Sequence, residues 1–268
     1  MIINIPIKNK KNGNYLCFYD SEFNAYDDNT QLDIPQEVIS IGICIIDLKG
    51  NLIDKYYSLI KLKAASKITK RATSITDIKT SDLKDALTFP KVINNVYKKV
   101  REYGIDEIFC YGLEDKRMLQ KTIELYKDKT NSLKILKMLK DVRPDLKKRT
   151  KGKVGDQGLQ FLKLICGYEE KVSHNALDDA IDLANVHRHI YNVGFNEKLF
   201  NELTKEREEI STYKRSRNIK PENSISAPSD IIKSKDKIID FLEKHNIPNM
   251  NDGLKRAIID DLNLLLKD

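Results

Sequence analysis

Two carboxylates two residues apart, Asp20 and Glu22, close the apolar run Tyr15-Leu16-Cys17-Phe18-Tyr19. In a β-strand, residues i and i+2 point to the same side, so both acids project together from the end of a buried strand. Like charges placed side by side repel, and burial adds a desolvation cost unless something positive lies between them. A divalent metal ion is the economical explanation. A solvated strand end or turn is the alternative, since Asp-x-Glu recurs by chance.

The segments that follow describe the sheet this strand enters. Strand-like runs at about 14–20, 38–47 and 52–60 come first, with Lys49-Gly50-Asn51 as a tight turn between the second and third. A helix is expected at 89–102, starting near Pro90 and stopped by Gly104. Residues 105–111 read as a fourth strand and 113–127 as a second helix. A short strand near 134–142, a helix at 156–166 and a long helix at 176–192 complete the unit. Hairpin-joined strands followed by strands alternating with helices imply an α/β unit, a mixed sheet covered by helices. Residues 211–230, basic and then rich in Ser, Asn and Pro, read as a flexible linker; 231–246 and 252–267 read as a small helical hairpin.

Composition narrows the partners. A net charge of +7 and a pI near 9.0 favour a polyanion. The four cysteines, Cys17, Cys44, Cys110 and Cys166, form no CxxC or CxxH pair, which argues against a zinc site. No run approaches the length of a membrane span, and the first residues lack a signal-peptide core. A cytoplasmic protein with reduced thiols is expected.

The decisive segment is His174-Asn175-Ala176-Leu177-Asp178-Asp179-Ala180. On a helix, Asp178 shares a polar stripe with Asp182, Asn185 and His189. Asp179 shares the neighbouring stripe with Leu183, Val186 and Ile190. Asp178 is therefore expected in solvent. Asp179 turns inward, where an uncompensated carboxylate is costly and a metal shared with Asp20 and Glu22 would serve. Asp115 follows the fourth strand. Read locally it is a first-turn acid of the next helix, and Glu114 would start that helix equally well. His187, His189 and His245 are read as ordinary helix-face residues.

Taken in order, these residues resemble the DEDD superfamily of 3′→5′ exonucleases, in the subgroup with a histidine five residues before the last aspartate. Asp20-Ser21-Glu22 matches the first motif, Tyr111-Gly112 with Asp115 the second, and His174, Asp179 and Ala180 the third. Pro35–Gly42 is similar to the family's second-strand entry. Thr73-Ser74-Ile75-Thr76 resembles its Thr-Gly-Ile-Thr motif, with serine for glycine, and Tyr111 stands where many relatives have tryptophan. Ala86-Leu87-Thr88-Phe89-Pro90-Lys91-Val92 is similar to a segment of RNA-trimming members. The resemblance covers about residues 14–192.

The resemblance implies a ribonuclease H-like, mixed five-stranded sheet flanked by helices in an exonuclease domain of residues 1–210, followed by a C-terminal helical appendage. It implies two Mg²⁺ ions, replaceable by Mn²⁺, held by Asp20, Glu22, Asp115 and Asp179 roughly 3.5–4 Å apart. His174 would act as general base. Substrate contacts are expected from Phe23, Ser21, Thr76, Tyr111 and Asn175, and from Lys148 and Arg149 in a basic, mobile loop at 143–153. Phe23 has a bland alternative as a core residue. The partners expected are single-stranded RNA or DNA 3′ ends, RNA favoured, no membrane, and a protein partner or second copy at 231–268. A DNA proofreading or repair subunit and a catalytically silent nucleic-acid-binding regulator are the competing functions.

Overall fold

The computed structural model describes residues 14–24, 36–128, 130–154, 157–168, 174–194 and 196–205. The linker and helical hairpin expected at 211–268 therefore lie outside the described residues. Backbone packing divides the chain into a unit of residues 1–196 and a second of 197–268, whose described residues 197–205 are helical.

The first unit is built on five strands: β1 (Tyr15–Phe23), β2 (Val38–Asp47), β3 (Leu52–Leu59), β4 (Ile108–Cys110) and β5 (Leu139–Asp141). Their spatial order is β3-β2-β1-β4-β5. The first three are antiparallel neighbours, and β4 and β5 join in parallel. This is the expected mixed sheet. β2 is buried at nine of its ten residues, as its nearly unbroken apolar run requires, whereas β3 is the half-exposed edge. At the β2–β3 turn, the Asp47 carboxylate accepts the Lys49 and Asn51 N–H groups, and Gly50 supplies the left-handed backbone at φ +88°.

Residues alternate between the two faces of the sheet. Cys17 and Tyr19 of β1 share one face with Ile41, Ile43 and Ile45 of β2. That face is closed by α2 (Phe89–Glu102), α3 (Glu114–Tyr126) and α4 (Asn131–Met138) in one large apolar core. On the other face, Phe18, Asp20 and Glu22 meet α7 (Ala176–Asn192). Two short helices, α5 (Arg143–Arg149) and α6 (Leu159–Ile165), pack on α7 from outside.

Two expected segments change. Residues 131–138 form a helix rather than part of a strand, with β5 confined to the three residues after it. The basic stretch 143–149, expected as a loop, is helix α5: Pro144 starts it and Leu146 anchors it in the core. All four cysteines are buried and unbridged. Among the described residues, no helix is long and apolar enough to cross a membrane.

The chain between β3 and α2 is fastened to the end of β1. Buried Glu37 accepts the backbone N–H groups of Lys63, Ala64 and Ala65 at 2.8, 3.1 and 3.0 Å. Asn24 Oδ1 accepts Thr69 N–H at 2.9 Å, and Thr69 in turn caps α1 (Lys70–Thr76). These bonds hold α1 close to the strand end that carries the acids.

Candidate active site

Asp20 and Glu22 lie inside β1, which continues to Phe23 rather than stopping near residue 20. Their cross-strand partners on β2 are Gly42 and Ser40. Gly42 has a particular use: a β-carbon there would stand 2.2 Å from Leu177 N and 2.3 Å from the Ala176 carbonyl. Only a residue without a side chain lets the first turn of α7 rest on the sheet at that point.

That contact delivers Asp179. Asn175 caps α7, its Oδ1 accepting Leu177 N–H at 3.0 Å and Asp178 N–H at 3.4 Å. Asp178 is exposed, while Asp179 turns toward β1 and its Oδ1 is buried with no hydrogen-bond partner among the described residues. Leu183, Val186 and Ile190 on the same stripe are buried, so the helical-stripe argument holds residue by residue.

Asp115 arrives from α3, in the layer on the opposite face. Its Oδ1 accepts both Ser21 N–H, at 3.0 Å, and Ser21 Oγ–H, at 2.7 Å. Asp115 is only 6% exposed, whereas Glu114 points outward to Arg117. The structure thus separates two acids that the sequence left equivalent.

Glu22, Asp179 and His174 each place one ligand atom within 4.8 Å of the others. Asp20 completes the group electrostatically: Asp115, Glu22 and Asp179 all act on it. Burial, then these like charges, push Asp20 well above the usual carboxylate range. Glu22 is pushed up to about 8 by burial and by Asp179 and Asp115. Burial raises Asp115 to about 7 against the opposing Ser21 bonds, and raises Asp179 to about 6 with help from Asp182. Four oxygen donors that each resist ionisation could together hold a hard divalent cation. The unpartnered Asp179 Oδ1 is the donor such an ion would satisfy.

Of the expected substrate contacts, all but Lys148 are already engaged within the fold. Ser21 is buried against Asp115, and Thr76 Oγ–H bonds the Ala72 carbonyl within α1. Tyr111 O–H bonds the Gln157 carbonyl, and Asn175 is the cap of α7. The Arg149 guanidinium lies 3.4 Å over the Tyr191 ring. Phe23 is half-buried against the main core, and Lys148 is exposed.

His187 corrects an expectation. It is buried, not a plain helix-face residue, stacking on Tyr191 at 4.3 Å and on Phe109 at 5.8 Å, with Phe18 at 5.2 Å. Gly42 and the Asp115–Ser21 bonds are the site features that sequence reasoning missed. A glycine inside a continuous apolar strand was the available signal for the first.

The exonuclease family described as RNase T matches residues 17–187. A 3′-exonuclease solved in work on 3′-end-specific recognition of a histone mRNA stem-loop shares the fold, with TM-score 0.60 and 17% identity over 68% of this chain and 64% of that one. The nuclease domain of 3′hExo, described as a DEDDh family member bound to rAMP, aligns with TM-score 0.61 and 18% identity over 70% and 98%. Cell-death related nuclease 4 gives 0.58 and 18% over 69% and 66%. This chain therefore spans just under two thirds of the first of these and nearly all of the isolated nuclease domain. No curated protein sequence matches it. With its family region running from β1 into α7 and its acids gathered where the three motifs meet, the chain belongs to the RNase T family of exonucleases, with the DEDD arrangement on a ribonuclease H-like fold.

Proposed function

We propose that the chain is a divalent-metal-dependent 3′→5′ exonuclease acting on single-stranded ends, with RNA the preferred polymer. The observation that carries this reading is the meeting of Asp20, Glu22, Asp115 and Asp179 beside His174, with Asp179 Oδ1 buried and unpartnered. The fold shared with 3′-exonucleases supports the direction of attack.

Asp20, Glu22, Asp115 and Asp179 would hold two Mg²⁺ ions, which when bound stabilise charge on the attacking and departing oxygens of the phosphodiester. The rest falls to the chain's own groups. Ser21 fixes one Asp115 oxygen through two hydrogen bonds, leaving the other free as a donor. His174, exposed yet beside Glu22 and Asp179, takes the proton of the attacking water at a ring nitrogen and passes it to solvent. Phe23 at the end of β1 offers an aromatic face to the terminal nucleotide, and Lys148 on α5 offers charge to the phosphates.

RNA preference rests on the Thr88-Phe89-Pro90 segment, which starts α2. Matched RNA and DNA oligonucleotides, digested side by side with Mg²⁺, test it. Faster shortening of RNA is expected. Faster shortening of DNA would favour a proofreading or repair role, and inactivity on both would favour a binding module.

A further inference from the structure

Helix α6 buries a lysine. Phe161, Leu162 and Ile165 are its buried apolar residues, and Lys163 lies among them at 3% exposure. A lysine is almost never buried to that extent without a partner. The partner is Asp182 of α7, whose Oδ2 accepts a charge-assisted hydrogen bond from the Lys163 ammonium. Stability alone does not call for this pair, because well-packed apolar side chains often serve a buried contact as well or better.

The position of Asp182 gives the pair a use. It follows Asp179 by three residues on α7, and residues at that spacing are neighbours on a helix surface, about 5–6 Å apart at their β-carbons. Its side chain is only 23% exposed. Left unpaired, it would be a fifth carboxylate beside Asp20, Glu22, Asp115 and Asp179. Asp179 registers both members of the pair: after burial, Asp182 pushes its carboxyl up and Lys163 pulls it down. Four carboxylates match the charge of two divalent cations, and a fifth would exceed it.

We propose that Lys163 sets the charge of the metal site: it neutralises Asp182 and withholds that carboxylate from the cations, leaving four acids to hold them. This rests on the reading of those four acids as a metal site. Lys163 acts through Asp182, so it is a positioning residue and touches neither cation nor substrate.

The test is Mn²⁺ binding by titration calorimetry to the wild-type chain, Lys163→Met, Asp182→Asn and the double variant, with thermal unfolding of each. One charge added to or taken from a partly buried, screened site should change affinity by about tenfold. Lys163→Met frees Asp182 and should bind Mn²⁺ more tightly by that factor, even as its Tm falls. Asp182→Asn leaves the ammonium uncancelled and should bind more weakly by the same factor. The double variant restores the net charge and should return close to wild-type affinity.

A pair that only pinned α6 to α7 would loosen the site whenever it was broken. Weaker binding by Lys163→Met, or affinities unchanged in both single variants, therefore overturns the proposal. Where Lys163→Met does not fold, the double variant decides: affinity near wild type supports charge setting, and binding as weak as that of Asp182→Asn overturns it. No Mn²⁺ binding by the wild-type chain would instead overturn the metal-site reading.

Discussion

Gly42 lies directly beneath Leu177, so close that a β-carbon on residue 42 would stand 2.2 Å from the Leu177 nitrogen. This contact ties the strand row holding Asp20 to the helix holding Asp179. Gly42→Ala should push the first turn of α7 off the sheet. The cost in stability is about 1–3 kcal/mol, as for other overpacked cores, and activity should fall by more than the fraction unfolded explains. Denaturant unfolding and cleavage assays on the same preparation check this. A variant with wild-type turnover would show that α7 has freedom the packing denies.

The adjacent aspartates of α7 should differ sharply when neutralised. Asp178→Asn touches an exposed group and should cost less than about 0.5 kcal/mol, roughly two-fold in rate. Asp179→Asn removes a buried oxygen donor and should lower kcat by about 10²–10³-fold. The reverse order would refute the assignment of stripes.

The crowded carboxylates make stability without metal depend on pH. Glu22, Asp115 and Asp179 stand at about 8, 7 and 6, and Asp20 is raised as well. Unfolded, such groups titrate at about 4, so the folded state binds more protons between these limits. Stability is greatest below the unfolded values and is lost as pH rises through the folded ones. In EDTA, Tm should be lower at about pH 8 than at about pH 5.5, and Mg²⁺ should raise it most at the higher pH. A Tm independent of both pH and Mg²⁺ would contradict the shared site.

His187 predicts an effect of opposite sign. Burial and the neighbouring Arg149 push its imidazole down to about 4. The unfolded ring titrates at about 6.5, so its contribution is present above that value and lost as pH falls through the folded one. His187→Phe keeps the stack on Tyr191 and Phe109 but cannot charge. Relative to wild type it should be better tolerated at about pH 4.5 than at about pH 7, as read by urea unfolding.

Much of the site was legible because its signals are local or periodic. The acids of β1 follow a two-residue period, and Asp179 is placed by the helical stripe through Leu183, Val186 and Ile190. Helices α2 and α7 match their expected spans because Pro90, Gly104 and the Asn175 cap mark their ends. Residues 134–138 misled because Ile135, Leu136 and Met138 fit either period, and burial of Ile135 in the main core decides for helix. Helix α5 has one apolar anchor, Leu146, and so no periodicity to read. The choice of Asp115 over Glu114 depends on Ser21, 94 residues away, and the stack at His187 draws on β1, β4 and α7. No local pattern carries contacts of that range.

On the proposed function, the four carboxylates hold the metal with which the chain shortens polynucleotides from the 3′ end. A single-stranded oligonucleotide labelled at its 5′ end, incubated with Mg²⁺ and sampled over time, tests it most directly. A ladder of labelled products shortening stepwise is expected, stopped by EDTA and abolished in a folded Asp20→Ala variant. Immediate release of the labelled 5′ nucleotide, or full activity in Asp20→Ala, would contradict it.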